Sequence, residues 1–252
     1  MLNQATLDKM NNMKLTGMTE AFARQNQTSD YAKLSFEERL GMLIDAEWDA
    51  RQQRKLVRRL QVAKLRYHAS LEDIDYQTPR GLDRRTILAL GSCEWIRQHQ
   101  GILITGPTGV GKTFLACAFV ERACRSGFSA RYLRMPRLLH ELAVARGDGT
   151  YARYLARLAK LDLLAIDDWL LTSLRDSERR DLLEVVEDRY QQSATLLATQ
   201  LPLKSWHEAI GEASMADAIC DRLVHSAHTI ALKGTSMRRT RTTKNKKGDP
   251  KQ

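Results

Sequence analysis

The sequence predicts an α/β chain in which a small all-helical domain precedes a core built on a five-stranded parallel sheet. Three observations carry this. Five short apolar runs, at Ile102–Thr105, Ala130–Leu133, Leu161–Ile166, Ala194–Thr199 and Thr229–Leu232, alternate with helical stretches such as Lys112–Arg125, Pro136–Ala145 and Ser177–Gln192. Strands alternating with helices form parallel sheets covered on both faces. A glycine-rich loop, GPTGVGKT, stands between the first run and its helix. The first 67 residues contain no such run and show helical spacing instead.

In chain order, Leu7, Met10, Leu15, Met18 and Phe22 recur at the spacing of one helix face. Ser35-Phe36-Glu37-Glu38 is a capping-box pattern, so a second helix is expected from Ser35 to about Tyr67, with no Pro or Gly after Gly41. At about 100° per residue, Arg51, Arg54, Lys55, Arg58, Arg59 and Arg66 share one arc, and Leu56, Leu60, Ala63 and Tyr67 the opposite one. Such a basic arc can track a phosphate backbone, or it can be an ordinary solvated face. Like charges this close destabilise an isolated helix, which favours nucleic acid. Ser70, Pro79 and Gly81 mark residues 68–82 as a linker. The expected organisation is a helical domain at 1–75 for DNA or oligomer contacts, a core at 76–240, and a disordered basic tail at 241–252.

Composition narrows the class. Hydrophobic residues make up 43% of the 252, enough for a core and against global disorder. The net charge of +10 is uneven. Residues 1–68 carry 12 Lys and Arg against 8 Asp and Glu, residues 69–232 carry 20 against 21, and residues 233–252 carry 8 against 1. Basic extensions around a neutral core suit a polyanionic partner, with solubility as the plainer reading. No apolar run approaches the roughly 20 residues of a membrane span. The opening residues lack a signal pattern. Cys93, Cys117, Cys124 and Cys220 form no CxxC pair. A cytoplasmic location and no membrane partner are therefore expected.

The loop Gly106, Pro107, Thr108, Gly109, Val110, Gly111, Lys112, Thr113 matches G-x-x-x-x-G-K-[ST] in full. Its glycines allow backbone N–H groups to converge on phosphates, and the following helix adds its positive end. Lys112 is expected at the β- and γ-phosphates of ATP, and the Thr113 hydroxyl on Mg²⁺. The run Leu161–Ile166 ends in Asp167 and Asp168. Asp167 is expected to hold Mg²⁺, directly or through water, and Asp168 to polarise the attacking water. A second acid beside the metal ligand points to hydrolysis of ATP to ADP and phosphate rather than to binding alone. A small phosphoryl-transfer kinase would need an arginine-rich lid, and none is evident. Gln200, with Thr199 second, is the polar residue at the end of the neighbouring strand. Arg222 suits a trans-acting phosphate grip or, equally, a local salt bridge with Asp217, Asp221 or a neighbouring helix.

The segments GPTGVGKT, LLAIDD, ATQLPLKSWHEAI, DAICDRLVHSAH and LKGTSMRR resemble the IstB-like helper ATPases of bacterial insertion-sequence transposition. These are AAA+ proteins and siblings of the DnaC helicase loaders. The N-terminal pattern is similar to the same family, so the resemblance spans about Leu7 to Arg239. It implies an AAA+ core that oligomerises on DNA, duplex favoured, with ATP between subunits. It implies that Arg222 is the arginine finger and Arg238 the sensor beside the nucleotide, with Arg239 the alternative. It also implies a partner transposase that the helper stimulates and directs to target DNA. Asp168 departs from the Glu usual in AAA+ proteins. Gln200 departs from the Asn more frequent in the loaders, which favours the helper reading. The alternatives are a helicase loader acting with single-stranded DNA and a nucleotide-switched adaptor that barely hydrolyses ATP.

Overall fold

A computed structural model describes residues 2–237 of the chain. Arg238, Arg239 and the basic tail at 241–252 lie outside the described residues. The chain divides into two compact units, Met1–Arg58 and the remainder from Arg59.

The first unit holds α1 (Leu2–Asn12), α2 (Thr16–Gln27) and most of α3 (Phe36–Ala63). The Ser35–Glu38 capping box forms as expected. Glu38 N–H donates to Ser35 Oγ at 3.2 Å, and Ser35 N–H donates to Glu38 Oε2 at 2.7 Å. α2 and α3 cross closely at Gly17, where a Cβ would come within 2.7 Å of the Ala50 Cβ. Beside this crossing the buried Glu47 carboxylate accepts the Gly17 and Met18 N–H groups at 2.9 and 3.2 Å, capping the start of α2. Its hydrogen bond from Arg51 holds the Glu47 carboxyl below the usual range. Arg51 and Arg54 are thereby engaged at 2.7 and 3.1 Å by an acid one turn upstream of the expected basic arc.

α3 ends at Ala63, short of the expected Tyr67. Lys64 has φ 51°, a left-handed conformation that a continuing α-helix excludes. Arg66 therefore leaves the arc, and Arg51, Arg54, Lys55 and Arg58 remain as exposed basic residues on α3. Residues 59–75 group with the sheet-bearing unit, and Ala63, Ala69 and Ile74 are buried.

The second unit continues through α4 (Arg84–Leu90), α5 (Glu94–Arg97), β1 (Gly101–Thr105), α6 (Lys112–Arg125), β2 (Ala130–Arg134) and α7 (Met135–Gly147). There follow α8 (Tyr151–Ala159), β3 (Leu163–Asp167), α9 (Asp176–Arg189), β4 (Ala194–Thr199), α10 (Trp206–Ile210), α11 (Ala213–Val224) and β5 (Ala227–Ala231). The five strands are all parallel, in the order β2-β3-β4-β1-β5. Ile102, Leu103 and Ile104 on β1 and Leu163, Leu164 and Ala165 on β3 are buried, as continuous apolar runs in a sheet covered on both faces require. β4 separates β1 from β3, so the carboxyl ends of three neighbouring strands open on one edge. On that edge the Trp169 ring packs on Trp206 at 5.5 Å, and the Trp169 backbone N–H donates to Ala198 O at 3.0 Å, holding the chain that leaves β3 against β4. Among the described residues no helix is long and apolar enough to cross a membrane.

Candidate nucleotide site

The loop between β1 and α6 stands at the carboxyl end of the sheet, where open α/β sheets bind ligands. Gly111, with φ 101°, turns the chain directly into α6. Lys112 is buried, and its ammonium donates to the carbonyls of Gly106 and Pro107 at 2.7 and 2.8 Å. Thr113, in the first turn of α6, donates from Oγ1 to Asp167 Oδ2 at 2.7 Å. The structure thus joins the two residues assigned to Mg²⁺ across 54 positions of sequence.

Asp167 ends β3 and is 1% exposed. Tyr132 on β2 donates its hydroxyl to the same Oδ2 at 2.7 Å, and the Asp168 N–H donates to Oδ1 at 2.9 Å. Burial and the neighbouring Asp167 push the Tyr132 phenol far above its ordinary value, so it remains a donor. A hydroxyl and one carboxylate fit Mg²⁺, which takes few protein ligands and keeps water and phosphate oxygens for the rest. Among the described residues there is no group of three or more His, Cys, Asp or Glu that could hold a metal ion.

Asp168 turns out of β3 with φ 55°, and Leu170 follows with φ 52°. The Asp168 carboxylate pairs with Arg134 Nε at 2.6 Å. Arg134 ends β2 in register with Asp167. Neither Tyr132 nor Arg134 was signalled by the sequence, because no local motif marks a β2 side chain that faces β3.

Gln200, just past β4, accepts a hydrogen bond from Thr108 Oγ1 at 2.6 Å and so touches the loop. Thr199 is fully buried. Its hydroxyl donates to Trp169 O at 2.8 Å and accepts the Leu201 N–H at 3.0 Å. Of the two strand-end candidates, only Gln200 presents its side chain to the loop. Arg222 is not brought to this site within its own chain. It bonds Glu187 on α9 at 2.6 Å and Ala218 O at 2.9 Å. With Gly101, Ser193 and Thr195 it lines a small cavity at the amino ends of β1 and β4, the opposite edge of the sheet. Of the acids open to it as a local partner, the structure selects one on the neighbouring helix rather than Asp217 or Asp221.

Fold and loop together define a class: this is a P-loop nucleotide-binding protein on a five-stranded parallel sheet. The fold is similar to that of AMPPCP-bound DnaA from Aquifex aeolicus, with TM-score 0.56, 17% identity, and 73% of this chain and 56% of that one covered. It is similar also to the DnaC helicase loader, with TM-score 0.54, 18% identity, and 68% and 100% covered. The chain belongs to the IstB-like ATP-binding protein family, whose sequence pattern matches residues 8–245. It is 50% identical over 239 residues to an insertion-sequence ATP-binding protein of Sinorhizobium fredii, covering 95% of this chain and 98% of the relative. It is 48% identical over 203 residues to an ATP-binding protein of insertion sequence IS1162 from Pseudomonas fluorescens, covering 80% and 88%.

Proposed function

We propose that the chain hydrolyses ATP with Mg²⁺ in an assembly of its own copies on target DNA, and that in this state it stimulates a partner transposase. The observation that carries the hydrolytic part is the bond from Thr113 in the loop's helix to Asp167, with a second acid, Asp168, next to it at the end of β3. The insertion-sequence relatives, matched over nearly their whole length, support the transposition setting.

In this reading the loop N–H groups and Lys112 take the phosphate charge, and Lys112 exchanges its two loop carbonyls for phosphate oxygens. Thr113 and Asp167 would hold Mg²⁺, which when bound would polarise the terminal phosphoryl group and offset its charge. Asp168 accepts the proton of the attacking water. Gln200, tied to Thr108, lies beside the loop to orient that water. Tyr132 positions Asp167 by fixing Oδ2. A hydrogen bond to a charged group contributes about 1.5–3 kcal/mol, so Tyr132→Phe is expected to raise the Mg²⁺ needed for half-maximal turnover by about 10- to 150-fold. Nucleotide affinity measured without Mg²⁺ stays unchanged. An unaltered Mg²⁺ titration would remove Tyr132 from this role.

DNA binding is assigned to the exposed basic residues of α3, with the basic tail as a helper. Affinity is expected to fall with salt at a log–log slope of about −0.9 per duplex phosphate neutralised. Replacing Arg54, Lys55, Arg58 and Arg59 by Gln should flatten that slope; an unchanged slope would move the contact to the tail or the core. The loader fold of DnaC favours a second reading, action on single-stranded DNA with a ring helicase. Tighter binding to single strands than to duplex, with turnover stimulated only by single strands, would select that reading.

A further inference from the structure

The linker ahead of α4 carries a buried arginine that neither the loop motif nor the acid pair accounts for. Arg80 is 6% exposed. Its Nη2 donates to the Asp75 carbonyl at 2.8 Å. Its Nη1 donates to the Val110 carbonyl, inside the phosphate loop, at 3.0 Å and lies 3.0 Å from the Met237 sulfur. Its Nε is buried without a hydrogen-bond partner. The Asp75 carboxylate is taken up instead by Thr78 and Gln77, at 2.6 and 2.8 Å. Burial draws the Arg80 guanidinium below its ordinary value. Buried charges are ordinarily paired. Here the donors go to backbone carbonyls instead, one of them inside the phosphate loop.

Backbone bonds join the same segments, which are remote in sequence. The Lys233 N–H donates to the Arg80 carbonyl at 2.8 Å, and the Met237 N–H donates to the Gly109 carbonyl at 3.0 Å. A Cβ at Gly111 would fall 2.6 Å from Arg80 Nη1, so the seated guanidinium leaves that position no room for a side chain. The carbonyls of Gly109 and Val110 are thus both held from behind. Holding the carbonyl side of a peptide loop orients its N–H side without blocking it.

We propose that Arg80 is a positioning residue for the nucleotide, presetting the N–H face of the phosphate loop and tying nucleotide occupancy to the order of residues 75–81 and 232–237. The proposal rests on the loop at 106–113 being the nucleotide site. Coupling of this kind is reciprocal: whatever nucleotide does to those two segments, their order does to nucleotide affinity. ATP and ADP are affected alike, because the contact is to the loop backbone rather than to a γ-phosphate group.

The test is hydrogen exchange with fluorescent nucleotide binding on the full chain. In the wild type, ATP and ADP should each slow exchange in the loop and in peptides spanning 75–81 and 232–237. Arg80→Gln should weaken ATP and ADP together by about tenfold, the size of a lost charged hydrogen bond. At saturating nucleotide its loop should still be protected, while 75–81 and 232–237 no longer respond. Arg80→Lys keeps the charge without spanning the acceptors, so both the affinity and the response of the two segments should stay impaired; restored affinity would show that charge alone, not the hold on the loop, sets binding, and would overturn the proposal. The proposal fails if the wild-type loop is protected while both segments are unaffected, a result that needs no variant. It also fails if Arg80→Gln binds both nucleotides as the wild type does. A wild-type chain that binds no nucleotide would overturn the site itself, which is a separate outcome.

Discussion

Chains carrying Arg222→Ala are expected to bind ATP almost as the wild type does and to lose its hydrolysis. Retained binding follows from where the residue sits, and the loss of hydrolysis from the proposal that Arg222 is the arginine finger that the family resemblance implies. Arg222 lies at the amino ends of β1 and β4, bonded to Glu187, while the phosphate loop lies at the carboxyl ends. It cannot serve the nucleotide of its own chain, so binding through the loop, Lys112 and Mg²⁺ stays intact. An arginine that stabilises transition-state charge in a neighbouring site contributes up to about 10³–10⁵ in rate. Turnover should rise more than linearly with protein concentration and rise again when DNA aligns the copies. Mixing Arg222→Ala with Lys112→Ala chains is the deciding measurement. The first keeps an intact pocket, the second an intact arginine, and mixed assemblies should recover activity that each lacks alone. The competing role is a strut between α9 and α11. Arg222 and Glu187 are 25% and 45% exposed, and pairs of that kind contribute about 1 kcal/mol or less. As a strut, Arg222→Ala would change the rate only slightly. No recovery in chains shown to co-assemble would assign it that role.

Asp168→Asn should leave ATP binding intact and slow hydrolysis by about 10²–10⁴, the range for a lost general base. The substitution is structurally mild. Asparagine tolerates the left-handed φ of 55° at this position and still offers an oxygen to Arg134. The change therefore isolates proton acceptance from folding. Arg134 Nε sits 2.6 Å from Oδ2 of the carboxylate, which leaves Oδ1 to accept from water. Turnover at saturating ATP and Mg²⁺ measures the effect. A wild-type rate would move water activation to another group, with Gln200 beside the loop examined first.

How far each of these residues could be found in advance depends on the range of the interaction that places it. Gly106 to Thr113 is legible because eight consecutive residues carry their own turn and helix start. Asp167 and Asp168 are legible because an apolar strand ending in two acids is a contiguous signal. The Ser35–Glu38 cap forms as read, since its bonds span three residues. The end of α3 is not legible. Lys64 is an adequate helix former, and only its surroundings in the fold set its φ to 51°. That turn removes Arg66 from a basic arc that periodicity alone had extended to it.

By itself, then, the sequence determined the class of fold, the phosphate loop, the acid pair and the family, because each is written in runs of neighbouring residues. The tertiary structure alone decided which side chains meet those runs. Parallel pairing puts Arg134 opposite Asp167 and lets Tyr132 reach the carboxylate that Thr113 also holds. Placing β4 between β1 and β3 brings Gln200 onto Thr108 and buries Thr199 beneath it. Arg80 reaches Val110 across 30 positions and Met237 across 157. The physical reason is common to all of them: strand order and register are set by burying both faces of the sheet at once, a condition on the whole core that no local pattern encodes.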